Sequence, residues 1–197
     1  MGPQEMRERL IARAITVIAN EGLDRATTKA IVKGTGINEV YIYRYFSNKE
    51  DLLAKTFAKL DEMFVEKVLL YIPVMYRMEL DFEQRCRFFF TAFWEFLLDN
   101  REVCLAFRQY YYSPYFLRLS AQEHKERCQP IVQRFREVFR VEADVWMIIN
   151  HILNVMLDFA VMAHNGQMPS EDAYEEHVFR VVYYSVQQYF KKRGIAD

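Results

Sequence analysis

The chain has 197 residues, of which 52% are hydrophobic and 16% aromatic, with only six Gly and five Pro. This composition is typical of a helical globular protein and excludes a disordered or fibrous chain. The net charge is −1, but residues 1–59 carry ten Lys/Arg against seven Asp/Glu, a net of +3, while the remainder carries sixteen against twenty, a net of −4. The basic end can approach phosphate groups, above all if two subunits contribute it.

Apolar residues recur at helical spacing along the chain, which predicts an all-α fold of about nine helices. Gly22 would end the first helix, and Pro73 would close a long fourth helix that Asn48 opens, with Asp51 completing an approximate capping box. Ser170 is a predicted N-cap for the last helix. The predicted ranges are 5–20, 28–34, 38–45, 49–71, 80–98, 102–111, 117–139, 143–164 and 170–192.

Residues 27–53 hold the most informative pattern in the chain. Thr27 is a suitable N-cap for a short helix, and the glycines at 34 and 36 would end that helix in a tight turn. Asn38 is a strong N-cap for a second short helix. Two short helices joined by a glycine turn form a helix-turn-helix unit, whose second helix enters the DNA major groove.

The second of these helices has one inward and one outward face. Ile42 and Phe46 are four residues apart and are predicted to face inward. The outward face would then present Glu39, Val40 and Tyr43 to solvent. An exposed surface this rich in aromatic and charged groups (Tyr41, Tyr43, Arg44, Tyr45) is unusual without a binding partner.

At these residues the chain resembles the TetR family of transcriptional regulators. The resemblance covers roughly the first sixty residues, and one departure is Val40, where many members have Gly. It implies an N-terminal DNA-binding domain, residues 1–47, and a helical domain for effector binding and dimerisation, residues 48–197. The matching residues are Thr27-Thr28, Ile31-Val32, Gly36-Ile37-Asn38, Ile42-Tyr43-Arg44-Tyr45-Phe46, Asn48-Lys49-Glu50 and Leu52-Leu53.

The resemblance also implies which residues contact DNA. Thr28 and Lys29 would contact the phosphates and groove from the second helix, and Lys49 would contact a phosphate from the fourth. Tyr43 and Tyr45 have hydroxyls suited to phosphate oxygens. The alternative is that both tyrosines are ordinary core aromatics.

Base edges would be read by the N-terminal turn formed by Glu39, Val40 and Tyr41, and Asn38 just before it is a further predicted DNA contact. Glu39 could accept a hydrogen bond from cytosine N4, and Val40 could pack on a thymine methyl group. Glu39 could instead simply stabilise the positive end of the helix.

The second half of the chain is rich in aromatic residues, which suits an apolar small-molecule site. A core aromatic stripe is the alternative for each single residue. The aromatic candidates for ligand binding are Phe93, Trp94, Phe107, Tyr110 and Tyr111.

Four polar residues inside apolar helices are further ligand candidates. Glu95 lies between two aromatic residues, and His151, Asn154 and Asp158 share one helix face at i, i+3 and i+7. A carboxylate buried beside aromatic rings would suit a lipophilic cation. The alternatives are ion pairs with Arg108 or Arg118, or exposure to solvent.

The last two helices present broad apolar faces, which predicts a homodimer formed by a four-helix bundle. Charged residues at Val182 and Val186 are expected to break it. The three cysteines, 86, 104 and 128, are predicted to be reduced structural thiols. The N-terminus shows no signal peptide, and the longest apolar stretch, 88–98, is too short for a bilayer, so a cytoplasmic protein without membrane contact is expected.

The sequence contains no catalytic motif and no metal-ligand spacing, so no enzyme activity, cofactor or metal is predicted. The expected function is transcription regulation at a pseudo-palindromic double-stranded DNA operator, most simply by a repressor that a small apolar or aromatic effector releases. The alternative is a helical DNA-organising or division-coupled protein that shares this fold without an effector.

Overall fold

The computed structural model describes residues 2–140, 142–168 and 172–191, and in these ranges the chain is helical, as predicted. Short 3-10 segments lie at Glu39–Tyr41, Ile72–Tyr76 and Gln187–Tyr189. The helices of the described ranges are α1 Pro3–Glu21, α2 Thr28–Val32, α3 Ile42–Tyr45, α4 Lys49–Tyr71, α5 Phe82–Asp99, α6 Arg101–Tyr111, α7 Pro114–Leu119, α8 Ala121–Phe135, α9 Val145–His164 and α10 Asp172–Val186.

The predicted helix 117–139 is wrong, because the structure divides this region into α7 and α8 and α8 ends at Phe135. The Ser113 hydroxyl accepts a hydrogen bond from the Phe116 amide, and Pro114 occupies the first turn, so α7 begins earlier than predicted. Ser120 has φ −133° and ends α7. The predicted N-cap at Ser170 lies outside the described residues.

Contacts divide the chain into two compact units, Met1–Phe64 with Asn100–Arg127, and Val65–Asp99 with Cys128–Asp197. Helices α4 and α8 each contribute residues to both units. The first unit thus joins the N-terminal helices with α6, α7 and the first part of α8, which follow later in the chain. The functional division into 1–47 and 48–197 stays a prediction.

The first unit packs α1 against α6. Leu10, Ala14 and Ile18 of α1 are fully buried, as their helical spacing predicts. Glu102 of α6 accepts hydrogen bonds from the Thr16 hydroxyl (2.8 Å) and from the Asn20 side-chain amide (2.9 Å). These bonds fix the position of α1, the helix on which α2 and α3 pack.

The second unit is built around α5, α9 and α10. The Arg87 guanidinium and the Thr91 hydroxyl of α5 donate hydrogen bonds to Glu176 and Glu175 of α10. His164 Nε2, near the end of α9, lies 2.9 Å from the Leu97 carbonyl of α5. These polar contacts hold three helices around an apolar interior.

One helix in the described ranges, α9, is long and apolar enough to cross a membrane by length and composition, with a mean hydropathy of 1.6. The sequence interpretation did not single it out. Core helices of soluble proteins meet the same criterion, and α9 packs on α5 and α10. Only 28% of the most apolar 18-residue stretch of α9 is buried within the single chain. An apolar face of the helix therefore remains available to a partner.

Candidate functional site

The turn between α2 and α3 forms as the sequence predicts. The Thr27 hydroxyl accepts a hydrogen bond from the Ala30 amide at 3.1 Å and caps α2. Gly34 and Gly36 have φ values of +73° and +72°, a left-handed conformation that glycine adopts without steric cost. Helix α2 therefore ends at Val32, two residues earlier than predicted, and Gly34 lies in the exposed turn and not on the inward face.

Asn38 opens the second element by accepting a hydrogen bond from the Val40 amide at 3.0 Å. A 3-10 turn at Glu39–Tyr41 precedes the α3 helix. The predicted inward residues are confirmed, since Ile42 is fully buried and Phe46 is 2% exposed. These two side chains fix the rotation of the segment and thus determine which residues point outward.

The outward surface of this segment, here called the recognition surface, consists of Val40, Tyr41, Tyr43 and Arg44. Val40 is 64% exposed and Tyr43 55% exposed, values that exclude a core role for either side chain in the isolated chain. Tyr45, in contrast, is half-buried. The core interpretation is therefore excluded for Tyr43 but not for Tyr45. The surface offers an aliphatic group, two tyrosines and a guanidinium to a partner.

Arg44 was not among the predicted DNA contacts, yet its guanidinium carbon lies 4.6 Å from the centroid of the Tyr41 ring. The two residues are three apart, so the helix itself brings them together. A guanidinium stacked on an aromatic face is restricted in orientation and presents its donors in a fixed fork. The i, i+3 spacing of Tyr41 and Arg44 is the sequence signal that could have identified this pair.

Glu39 contacts α2 in this structure, because its carboxylate accepts a hydrogen bond from the Thr28 hydroxyl. Thr28 is 9% exposed, so little of its side chain is available for the phosphate contact that the family resemblance implied. The bond ties the N-terminal end of the recognition segment to the preceding helix. This geometry favours a positioning role for both residues over the predicted base and phosphate contacts.

We expect Glu39→Ala and Thr28→Val each to weaken binding to all DNA sequences by a similar factor, because each removes one partner of a part-buried hydrogen bond worth about 1–2 kcal/mol. The loss of binding free energy in the double variant should be smaller than the sum of the losses in the two single variants, because both changes break the same hydrogen bond. Operator titrations and thermal unfolding would measure both effects.

Glu39→Gln is the matched control, because a glutamine side chain still accepts a hydrogen bond from Thr28. It should preserve stability and base preference. A change in the preferred base at one operator position, from cytosine towards adenine, would instead assign Glu39 to base reading.

The first turn of α4 carries the Asn48 half of the predicted capping box, while the Asp51 side chain bonds to the amide of Ser47 and not to that of Asn48. The Asp51 amide donates to Asn48 Oδ1 at 2.9 Å, and the Asp51 carboxylate accepts from the Ser47 amide at 2.9 Å. Lys49 is the first residue of this capped helix and is partly exposed, while Lys29 on α2 is exposed. Both ammonium groups therefore remain available for the predicted phosphate contacts.

The predicted aromatic ligand residues fall in both packing units. Phe107, Tyr110 and Tyr111 belong to the first unit, where the Tyr110 ring stacks on Phe57 with centroids 4.7 Å apart and its hydroxyl lies 3.0 Å from Ser120 Oγ. Phe93 and Trp94 are buried in the second unit. Burial favours the core interpretation for four of the five, while Tyr111 is half-buried and stacks on Phe107 with ring centroids 5.6 Å apart.

Glu95 and Asp158 are exposed in the single chain, so the condition set for a lipophilic cation, a buried carboxylate, is not met. His151 is exposed too, with its Nε2 2.9 Å from Ser185 Oγ of α10, and Asn154 is half-buried. The face that these three α9 residues share points outward. Helical spacing predicts that the residues share a face, but it does not tell whether that face meets the interior or the solvent. Arg118, one proposed ion-pair partner, binds Glu50 at 2.7 Å.

A small cavity lies inside the second unit, with a volume of about 60 Å³. Its walls are apolar and come from α5, α9, α10 and the segments flanking them. The lining contains none of the nine predicted ligand residues. It consists of Met75, Cys86, Phe89, Phe90, Ile152, Met156, Phe179, Val182, Tyr183, Val186 and Phe190.

The cysteines of the described ranges are free thiols, as predicted. Burial raises the pKa of both Cys86 and Cys104 to about 12. At pH 8 the reactive thiolate form is then about one part in 10⁴. We expect iodoacetamide to leave both thiols unmodified in the folded protein and to label them in urea, as peptide mass spectrometry would measure. Rapid labelling of the folded protein would contradict this.

The helix-turn-helix geometry, with its aromatic and basic recognition surface, defines a DNA-binding protein of the helix-turn-helix class. Residues 10–56 match the family described as bacterial regulatory proteins of the tetR family. The match covers 47 of the 197 residues, all of them in the N-terminal part of the chain. No enzyme activity was predicted, and the tetR-family match of residues 10–56 agrees with that prediction.

The fatty acid metabolism regulator protein of Bacillus subtilis (strain 168) is 36% identical over 59 residues. The matched part is 30% of this chain and 30% of that relative, so the likeness spans less than a third of the curated protein.

Two solved structures show the same fold over nearly the whole chain. A TetR family transcription regulator from Marinobacter aquaeolei VT8 has a TM-score of 0.72 at 15% identity, covering 91% of this chain and 94% of that one. The regulator FadR from Bacillus subtilis, in complex with stearoyl-CoA, has a TM-score of 0.65 at 19% identity, covering 89% and 96%. At these identities the likeness concerns the fold.

Proposed function

We propose that this transcription regulator represses its target genes by binding a pseudo-palindromic operator as a homodimer, and that a small apolar ligand releases it. The recognition surface is the observation that carries the DNA-binding part. It places Tyr41, Tyr43 and Arg44 outward on a segment fixed from within by Ile42 and Phe46. Such a segment suits the major groove, with flanking lysines for the phosphates.

The dimer part of the proposal is supported by apolar residues on the outer faces of α9 and α10. Met147 and Met162 are exposed on α9, and Val181 and Tyr184 are exposed on α10. Exposed apolar faces on two adjacent helices are characteristic of subunit interfaces. We infer that a second copy covers them in a four-helix bundle. A two-fold dimer then binds half-sites about one helical turn apart, roughly 34–36 Å.

The ligand part is supported by the apolar cavity and by the names of similar proteins. The cavity is lined by apolar side chains of the second unit. A relative of the N-terminal region is named a fatty acid metabolism regulator, and one protein of similar fold was solved with stearoyl-CoA. We therefore infer an acyl chain as the ligand class. The lipophilic cation is no longer favoured, because Glu95 and Asp158 lie at the surface of the single chain.

Release requires that the ligand bind the DNA-incompetent arrangement more tightly than the competent one. Helix α4 begins at Lys49, a predicted phosphate contact, and ends at Tyr71 within the second unit. We infer that this continuous helix transmits cavity filling to the recognition surface. A displacement of a few ångströms would misplace one half-site.

The test begins with selection of operator fragments from genomic DNA by the purified protein. The operator complex is then titrated with a long-chain acyl-CoA, the free fatty acid, a neutral aromatic compound and a lipophilic cation. We expect a pseudo-palindromic site and release by the acyl compounds. Sequence-independent binding that none of these compounds alters would support the alternative of an effector-independent DNA-organising protein.

A further inference from the structure

Three buried side chains of the kinds that bind metal ions meet where α8 packs on α4. Asp61 of α4 is 1% exposed and His124 of α8 is 3% exposed, and His124 Nδ1 lies 2.8 Å from Asp61 Oδ1. Cys128 is buried as well and follows His124 by one turn of the same helix. The carboxylate oxygen, the ring nitrogen and the sulfur all lie within 4.8 Å of one another.

The backbone explains why these three groups converge. Asp61 and His124 both belong to the first packing unit, where they are bonded to each other. Cys128 is placed relative to His124 by α8 itself, because residues four apart in a helix lie on one face, with Cβ atoms about 5–6 Å apart. Two ligands at i and i+4 of one helix are a recurrent metal-binding arrangement. The sequence interpretation found no metal-ligand spacing and overlooked this pair.

The donor set matches zinc. Zn²⁺ binds thiolate sulfur, imidazole nitrogen and carboxylate oxygen at about 2.0–2.3 Å, with tetrahedral geometry. Ligand atoms in such a tetrahedron are roughly 3.3–3.7 Å apart, so small side-chain rotations close the cluster around an ion. A thiolate ligand favours Zn²⁺ and similar ions over Mg²⁺ and Ca²⁺, which prefer oxygen ligands.

The charges near the cluster suit a divalent cation. Arg127 donates a hydrogen bond to Asp61 Oδ2 and lies 3.9 Å from a carboxylate oxygen of Glu123. Metal binding removes the thiol proton, so Asp61, Glu123 and Cys128 then supply three negative charges. Arg127 supplies one positive charge. Its bond to Oδ2 leaves Oδ1 for the ion and fixes the carboxylate, as hydrogen bonds to ligating carboxylates do in metal sites.

Aromatic rings surround the imidazole. The rings of Phe57, Tyr111 and Phe116 lie edge-on to His124, with centroid distances of 5.9, 5.6 and 5.5 Å. An apolar shell of this kind limits the access of water to a bound ion. It also strengthens the attraction between the ion and its anionic ligands, because the local dielectric constant is low.

We propose that Asp61, His124 and Cys128 bind one Zn²⁺ ion or a similar thiophilic divalent cation, with a solvent molecule as the fourth ligand. The ion joins α4 to α8 within the interior. This site is independent of the operator and of the apolar ligand, so its test does not depend on the proposed function.

Titration of the reduced, untagged protein with Co²⁺, a spectroscopic substitute for Zn²⁺, tests the ligand set. We expect about one ion per chain, the visible bands of tetrahedral Co²⁺ and the near-ultraviolet band of a cobalt–thiolate bond. Zn²⁺ should displace the Co²⁺, and Mg²⁺ should not.

Cys128→Ser should remove the near-ultraviolet band and weaken Co²⁺ binding by about tenfold or more. Cys104→Ser is the matched control, because Cys104 is another buried free thiol and lies outside the cluster. It should keep both the band and the affinity. Asp61→Asn should weaken binding while the band persists at saturating Co²⁺, since the thiolate ligand is retained.

Zn²⁺ should also raise the Tm of the unaltered protein and of Cys104→Ser, but not that of Cys128→Ser, because an ion that binds the folded state stabilises it. A cobalt spectrum of the unaltered protein without the thiolate band overturns the site, and this measurement needs no variant to fold. A band that survives in Cys128→Ser, or that is lost in Cys104→Ser, overturns it too.

Discussion

Val181→Glu should leave each subunit folded and lower operator affinity by about 10²–10⁴-fold. Val181 is 49% exposed on α10, so the single chain tolerates a carboxylate there. In the proposed dimer the same carboxylate would be buried between apolar faces without a partner, at a high cost in free energy. Dissociation removes the avidity gained when two linked half-site contacts act together. Analytical ultracentrifugation and operator titration would measure both effects.

Val182→Glu is the matched control, one residue along the same helix. Val182 and Val186 are buried and line the apolar cavity, so the sequence expectation that charges there specifically break the dimer is corrected. A carboxylate at Val182 should instead destabilise the fold by roughly 3–5 kcal/mol. The unaltered protein remaining monomeric at micromolar concentration would contradict the proposed interface.

Arg44→Ala should weaken operator binding by about 1–3 kcal/mol and relax the preference at one base pair, if the stacked guanidinium contacts a guanine. Lys49→Ala should weaken binding to all sequences alike. It should also lower the slope of log affinity against log salt concentration by about one, because one phosphate contact is lost. Titrations against single-base operator variants at several salt concentrations separate the two effects.

Two conservative variants test the stacking itself. Arg44→Lys keeps the charge but loses the planar fork, so specificity should fall more than affinity. Tyr41→Phe keeps the ring beneath Arg44 and should preserve the base preference, whereas Tyr41→Ala should mimic Arg44→Ala in part. An unchanged preference in both alanine variants would remove Arg44 and Tyr41 from base reading.

The sequence alone determined the helix-turn-helix. Thr27 and Asn38 cap their segments, and Gly34 and Gly36 adopt the left-handed turn. Caps, glycine turns and the inward spacing of Ile42 and Phe46 act over a few residues, so a local pattern contains the information they need.

Only the tertiary structure located the apolar cavity and the positions suited to test the proposed dimer. Helical spacing groups His151, Asn154 and Asp158 on one face, but which face meets the interior depends on how α5, α9 and α10 pack. The apolar cavity is formed by side chains from segments more than a hundred residues apart, from Met75 to Phe190. The same holds for Glu39, whose bond to Thr28 exists only after α2 and the recognition segment meet. Contacts across such distances depend on the whole packing arrangement, which no local pattern specifies.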